Sequence, residues 1–153
     1  MFDWKIGGNR CISAFFAEKI NCFFSDKSNV VIVPVPPRKG KIRKKGWDQI
    51  DELARFLRWR YGFCILKILQ RLSTQEQKKL DREERIGRIN NSYCMTSPRK
   101  LKRILKPFMG KIPEEVWLLD DVSTTGATIE SCSYVLKSAG VKKVYAVTLF
   151  TVD

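Results

Sequence analysis

The apolar positions of this chain follow two different periods, and the change between them marks out its elements. In "RCISAFFAEKINCFF", Ile12, Phe15, Phe16, Ile20, Phe23 and Phe24 recur at spacings of three and four, which predicts an amphipathic helix. "NVVIVPVPP" is a short, continuous β-branched run ended by prolines, as suits a buried strand passing into a rigid loop. "GWDQIDELARFLRWRYG" begins at a glycine, keeps Trp47, Ile50, Leu53, Ala54, Leu57 and Tyr61 on one face, and stops at Gly62. That is a second helix. "FCILKIL" predicts the next strand, and the polar "TQEQKKLDREERIGRIN" a helix or loop. "EEVWLLD" is a strand, "GATIESCSYVLKSAG" a helix closed by Gly140, and "KKVYAVTLF" a final strand.

Strands that alternate with helices imply an α/β fold, a mostly parallel sheet covered on both faces. In such sheets ligands bind beyond the carboxyl ends of the strands. At 153 residues the chain is read as one domain, 1–153, with an N-terminal helix over 1–28 and a core over 29–153. No apolar run approaches a membrane span, and "MFDWKIGGNR" lacks the basic-then-apolar layout of a signal peptide, so a cytoplasmic protein is expected. Five cysteines stand at wide, irregular gaps without a Cys-x-x-Cys pair, and there is no histidine. No zinc site is expected, and the thiols are read as reduced.

Charge changes the picture more than composition does. The formal net charge is +13, which attracts polyanions: nucleic acid, anionic lipid or phosphorylated small molecules. "RKGKIRKK", residues 38–45, carries six positive charges and no acid. "RKLKRILK", residues 99–106, is basic with Leu101, Ile104 and Leu105 at helical spacing, a partly exposed helix. Both patches are candidate DNA or RNA contacts.

Against that background, "VWLLDDVSTTGATIES" puts two adjacent aspartates at the end of a buried run. Desolvated carboxylates need solvent or a partner. The segment after Asp121 passes from strand to helix, and such a turn aims successive N–H groups outward at a positive helix end, which favours a phosphate. Gly126 permits the backbone a strained conformation and close approach of a ligand. Ser123, Thr124, Thr125 and Thr128 add hydroxyls, any of which can cap the helix. The lysine of a nucleotide P-loop and the spacing of a dinucleotide fingerprint are both missing. The loop suits one phosphate, and carboxylates near it call for neutral hydroxyls or a cation. A ribose 5-phosphate, its diol on the acids, satisfies both.

These residues carry a resemblance. Val116 to Thr128, hydrophobic-hydrophobic-Asp-Asp-Val-x-Thr-Thr-Gly-x-Thr, resembles the phosphoribosyl pyrophosphate (PRPP) signature of type I phosphoribosyltransferases over thirteen positions. "VIVPVP" with "RKKGWDQIDELAR", and Arg71, Thr74, Gln77, Leu80 and Arg85 of "LQRLSTQEQKKLDREER", look like the patterns of the competence-associated ComF family. With "WKIGGNR" near the start, the resemblance extends over nearly the whole chain.

It implies a type I phosphoribosyltransferase-like fold with a small variable hood, here the N-terminal helix and the 95–113 region. Asp120 and Asp121 then hold the ribose hydroxyls, directly or through Mg²⁺. Ser123, Thr124, Thr125, Gly126, Ala127 and Thr128 cradle the 5-phosphate. Val35 and Pro36 belong to a pyrophosphate loop, and Arg38, Arg43, Lys44 and Lys45 to a basic lid. The family's N-terminal zinc ribbon has no counterpart in this sequence; Lys45, Trp47 and Asp48 stand for its Arg, Phe and Asn, and Arg88 for an asparagine. Thr124 stands where 6-oxopurine enzymes carry an aspartate base, and a threonine does not take that proton at neutral pH. The resemblance thus points away from hypoxanthine and guanine. Three functions follow from it: a Mg²⁺-dependent phosphoribosyltransferase with an unknown acceptor, a non-catalytic PRPP or nucleotide sensor, and a DNA-associated competence protein.

Overall fold

The computed structural model describes residues 4, 10–37, 40, 46–72 and 92–151. Its strands are β1 (Val31–Pro34), β2 (Cys64–Ile65), β3 (Leu69–Arg71), β4 (Tyr93–Met95), β5 (Glu115–Ser123) and β6 (Lys143–Thr151). Its helices are α1 (Cys11–Phe23), α2 (Gln49–Tyr61), α3 (Pro98–Ile104) and α4 (Ala127–Ser138), with a 3₁₀ turn at Lys106–Phe108. The long polar stretch 74–90 lies outside the described residues.

The central sheet is parallel, in the order β2-β1-β5-β6. Side chains alternate along β1 and β5, so each strand feeds two cores. Val31, Val33, Val116 and Leu118 pack on one face with Cys132 and Leu136 of α4. Ile32 and Leu119 pack on the other with Ala17 and Ile20 of α1 and Leu53 and Leu57 of α2. Every residue of β1 is buried, as a strand covered on both sides requires. Helices on both faces of a parallel sheet are what the alternating pattern implies.

Two details depart from the pattern. "FCILKIL" is not one strand: only Cys64 and Ile65 join the sheet, and the chain then turns so that β3 pairs antiparallel with β4. The turn is at Lys67, which is exposed and pairs with Asp51. In α1, Phe15 and Phe23 are solvent-exposed rather than core. The buried stripe is Ser13, Ala17 and Ile20, continued by Phe24. Ser13 is buried because its hydroxyl accepts from Trp4 Nε1 at 2.8 Å and donates to Glu52 at 2.9 Å. Arg10 completes that carboxylate's shell, tying α1 to α2.

The topology fixes where a ligand belongs. From β1 the chain moves to β2 on one side, whereas β5 lies on the other side of β1 and leads on to β6. The strand order reverses between β1 and β5, and their carboxyl ends border the crevice that this reversal opens.

Candidate functional site

Asp120 and Asp121 lie at that crevice, but β5 does not end at them. It continues to Ser123, which pairs with Thr151. Adjacent residues therefore still alternate, and the two carboxylates leave the strand on opposite faces. Asp120 shares its face with Val116 and Leu118; it is buried, and its Oδ1 accepts the Asp121 N–H at 2.8 Å. Asp121 faces α2, where Gln49 Nε2 donates to its Oδ2 at 3.3 Å. Gln49 opens α2, whose N-cap is Asp48, accepting the Asp51 N–H at 3.0 Å.

Between β5 and α4 only Thr124, Thr125 and Gly126 remain as loop. Gly126 has φ 73°, and a Cβ there would meet nothing within 4 Å, so its backbone angle and not crowding calls for glycine. It is also the N-cap of α4, with no side-chain cap hydrogen bond. The nearest side-chain contact is long, from the Ala127 N–H to Thr125 Oγ1 at 3.4 Å. The first amides of α4 thus carry the positive end of a helix dipole without a firm protein cap.

A cleft of about 500 Å³ joins these elements. Val35, Pro36 and Pro37, just past β1, form one wall. Asp120, Asp121, Thr124 and Thr128 form the opposite one. Six residues expected at the site thus line one hollow, of the size ligand sites have. Ser123, Thr125, Gly126 and Ala127 lie in the same turn, though they do not line the hollow. Arg38, Arg43, Lys44 and Lys45 lie outside the described residues.

Among the further lining residues that were given no site role by the sequence, three carry polar groups: Asp48, Arg71 and Tyr93. Arg71 and Tyr93 are register partners in the β3–β4 pair, and the Arg71 guanidinium lies 5.4 Å from the Tyr93 ring centroid. Thr128 hydrogen-bonds the Tyr93 phenol. Burial pushes that phenol's pKa up, partly offset by Arg71 and the Thr128 bond, so it stays protonated at neutral pH. Burial and then the charge of Asp120 push the Cys132 thiol up to about 12, which leaves it inert as a nucleophile. The signal for Arg71 was present in the family pattern; nothing local marked Tyr93.

Among the described residues, no group of three or more His, Cys, Asp or Glu side chains could hold a metal ion. A larger recess of about 710 Å³ lies along β2, away from the motif, and is lined by none of its residues. No helix among the described residues is long and apolar enough to cross a membrane.

The architecture is that of an α/β protein whose helix-flanked parallel sheet is consistent with a phosphoribosyltransferase-like fold. Among characterised proteins, the chain is similar to Competence protein ComFC of Streptococcus pneumoniae (strain ATCC BAA-255 / R6), 25% identical over 148 residues. That alignment takes in 97% of this chain and 58% of ComFC, so the chain spans little more than half of its relative's length. The similarity supports the ComF-family resemblance. No protein-family model matches the chain.

Proposed function

We propose that the cleft binds PRPP and that the protein is phosphoribosyltransferase-like, passing the phosphoribosyl group to an acceptor with pyrophosphate as leaving group. The supporting observation is the meeting of Asp120, Asp121, Thr124 and Thr128 with Val35 and Pro36 in one cleft at the strand-order reversal. In this reading the 5-phosphate lies against the amides that open α4, and the ribose hydroxyls donate to the carboxylates. The C1–O bond to pyrophosphate breaks, the acceptor's nucleophile bonds to C1, and the acceptor's proton leaves to solvent.

Each side chain has a task in that scheme. Asp120 and Asp121 would hold Mg²⁺, which when bound supplies charge neutralisation for the departing pyrophosphate. Arg71 is the cation lining the cleft among the described residues, placed to favour a phosphoryl group there. Tyr93 holds the Thr128 hydroxyl in place and is a hydrogen-bonding phenol rather than a base. Thr124 takes no proton, so hypoxanthine gives no turnover. The link to competence in the name of the relative comes to this chain as part of the same proposal.

Calorimetry with PRPP and Mg²⁺ tests the assignment. The wild-type protein binds, and Asp120→Asn/Asp121→Asn weakens binding more than about a hundredfold, the loss expected when two charge-assisted contacts go. Unchanged affinity in the double variant removes the site.

A further inference from the structure

The two edges of the central sheet are built differently. On one side β2 pairs over two residues only and then turns away at the exposed Lys67, the short, charged kind of edge that does not recruit another strand. On the other side β6 runs for nine residues, and among the described residues it pairs with β5 alone. Not one of its residues is buried. The strand also carries none of the usual protection. Its offset to β5 is constant from Glu115↔Lys143 to Ser123↔Thr151, so no bulge bends it away. It contains no proline, and its one charge is Lys143, at its start, paired with Glu115 at 2.6 Å.

The layer over this edge is open as well. Arg10 and Ser13, at the start of α1, turn toward Glu52 of α2. On the other flank of α1, Phe16 and Phe23 reach Phe150 of β6 and Trp117 of β5, at 5.5 and 6.0 Å between ring centroids. Phe15, Phe23 and Tyr145 leave 53%, 59% and 38% of their surface in water. The apolar pattern of α1 is therefore wider than its buried stripe on the side of the unpaired strand. Exposed aromatics beside an open edge mark an interaction surface.

Charge and symmetry identify the partner. Residues 144–151 carry no charge, so the edge offers a foreign acidic or basic strand nothing to match. It does match itself. In an antiparallel pair about a twofold axis at Val147, each Lys143 meets Thr151 of the other copy, and the two lysines stay at opposite ends. The contact is a strip about 30 Å long, the span of nine strand residues, and about 20 Å deep, one sheet layer and one helix layer. That amounts to roughly 600 Å² per copy, the lower end of stable interfaces.

We propose that β6 is a dimerisation edge: two copies of this chain pair β6 with β6, join their four-stranded sheets into one, and close the seam with the exposed aromatics of α1. The pairing stands apart from the sugar-phosphate reading of the cleft, and the two fail separately.

Sedimentation equilibrium of the full chain from about 1 to 100 µM, the range in which a contact of this size dissociates, measures it. The mass rises from 17.8 kDa, one copy, to twice that. Ala146→Lys places a cation on the strand in each copy, two beside one axis, and weakens dimerisation at least about tenfold. Phe15→Ser/Phe23→Ser weakens it about tenfold through lost apolar contact. All three side chains are exposed, so these variants melt as the wild type does. Val147→Cys, combined with Cys11→Ser and Cys22→Ser, links the copies when an oxidant is added, because facing residues have Cα atoms about 4.5–5.5 Å apart, within disulfide reach. A chain that stays single throughout the range, a dimer indifferent to Ala146→Lys, or the absence of that cross-link overturns the proposal. A dimer that fails to bind PRPP overturns the cleft reading alone.

Discussion

The cleft at the ends of β1 and β5 and the groove beside β2 are close in size, about 500 and 710 Å³, and opposite in design. The cleft is made by backbone: a strand-order reversal, a positive-φ glycine and the start of α4, with three carboxylates, Asp48, Asp120 and Asp121, set among hydroxyls. The groove is made by side chains, five cations and an exposed indole around an apolar floor. On a chain of net charge +13, phosphate is attracted almost everywhere. The carboxylates make the cleft the selective exception, since they repel a bare anion and accept one that brings hydroxyls or a divalent cation. Sign of charge therefore does not tell a phosphate site from a solvated surface; directed amides and a matched acid do.

Both recesses rest on one sheet, so the largest expected effect breaks them together. Leu118 is fully buried in β5 beside β1. Leu118→Ala costs about 3 kcal/mol of unfolding free energy, read from urea melts, through lost burial and the hole left behind. Binding of PRPP, as proposed for the cleft, then weakens in proportion to the unfolded fraction. A loss below about 1 kcal/mol means that the sheet has room to collapse.

Raising the pH separates the two sides. Cys132, behind the cleft, keeps its proton up to about 12, whereas its ordinary pKa is 9.0. The unfolded chain gives up that proton first, so stability is full below about pH 9 and falls as pH rises toward 12. The slope is about 1.4 kcal/mol per pH unit for one retained proton. Cys64, on the groove wall, is raised in the same direction by burial, with Arg58 opposing. Cys132→Ala removes most of the alkaline slope, and Cys64→Ala less; denaturant melts at stepped pH show which.

Gly126→Ala touches the cleft alone. Its Cβ finds open space, so the cost is the left-handed backbone, about 1–2 kcal/mol. Calorimetry records weaker PRPP binding. The smallest effect is at the N-cap of α2, a helix that serves both recesses. Asp48→Ala removes the acceptor of the Asp51 N–H and costs about 1 kcal/mol, seen as a small shift in melting midpoint.

What the sequence disclosed depends on how far apart the partners lie. The cleft's acidic wall is contiguous, Val116 to Thr128, so strand, turn and helix could be read from one stretch. Arg71 and Tyr93 meet through an antiparallel pairing of short segments, which periodicity does not announce. The groove joins α2 to α3, and on the helical wheel of α2 its arginines look like any solvated face. Glu52 reads as polar surface too, yet it is buried because Arg10 and Ser13 complete its hydrogen bonds from another helix. β5 runs longer than the apolar pattern shows because a strand that runs into two acids looks finished at the first of them, whereas Asp120 is buried and the pairing continues to Ser123.

The most direct measurement is a crystal structure of the protein with PRPP and Mg²⁺. Density for the 5-phosphate at the opening turn of α4, with the ribose beside Asp120 and Asp121, is the predicted result. Density on Arg58, Lys100 and Arg103 with nothing in the cleft contradicts it.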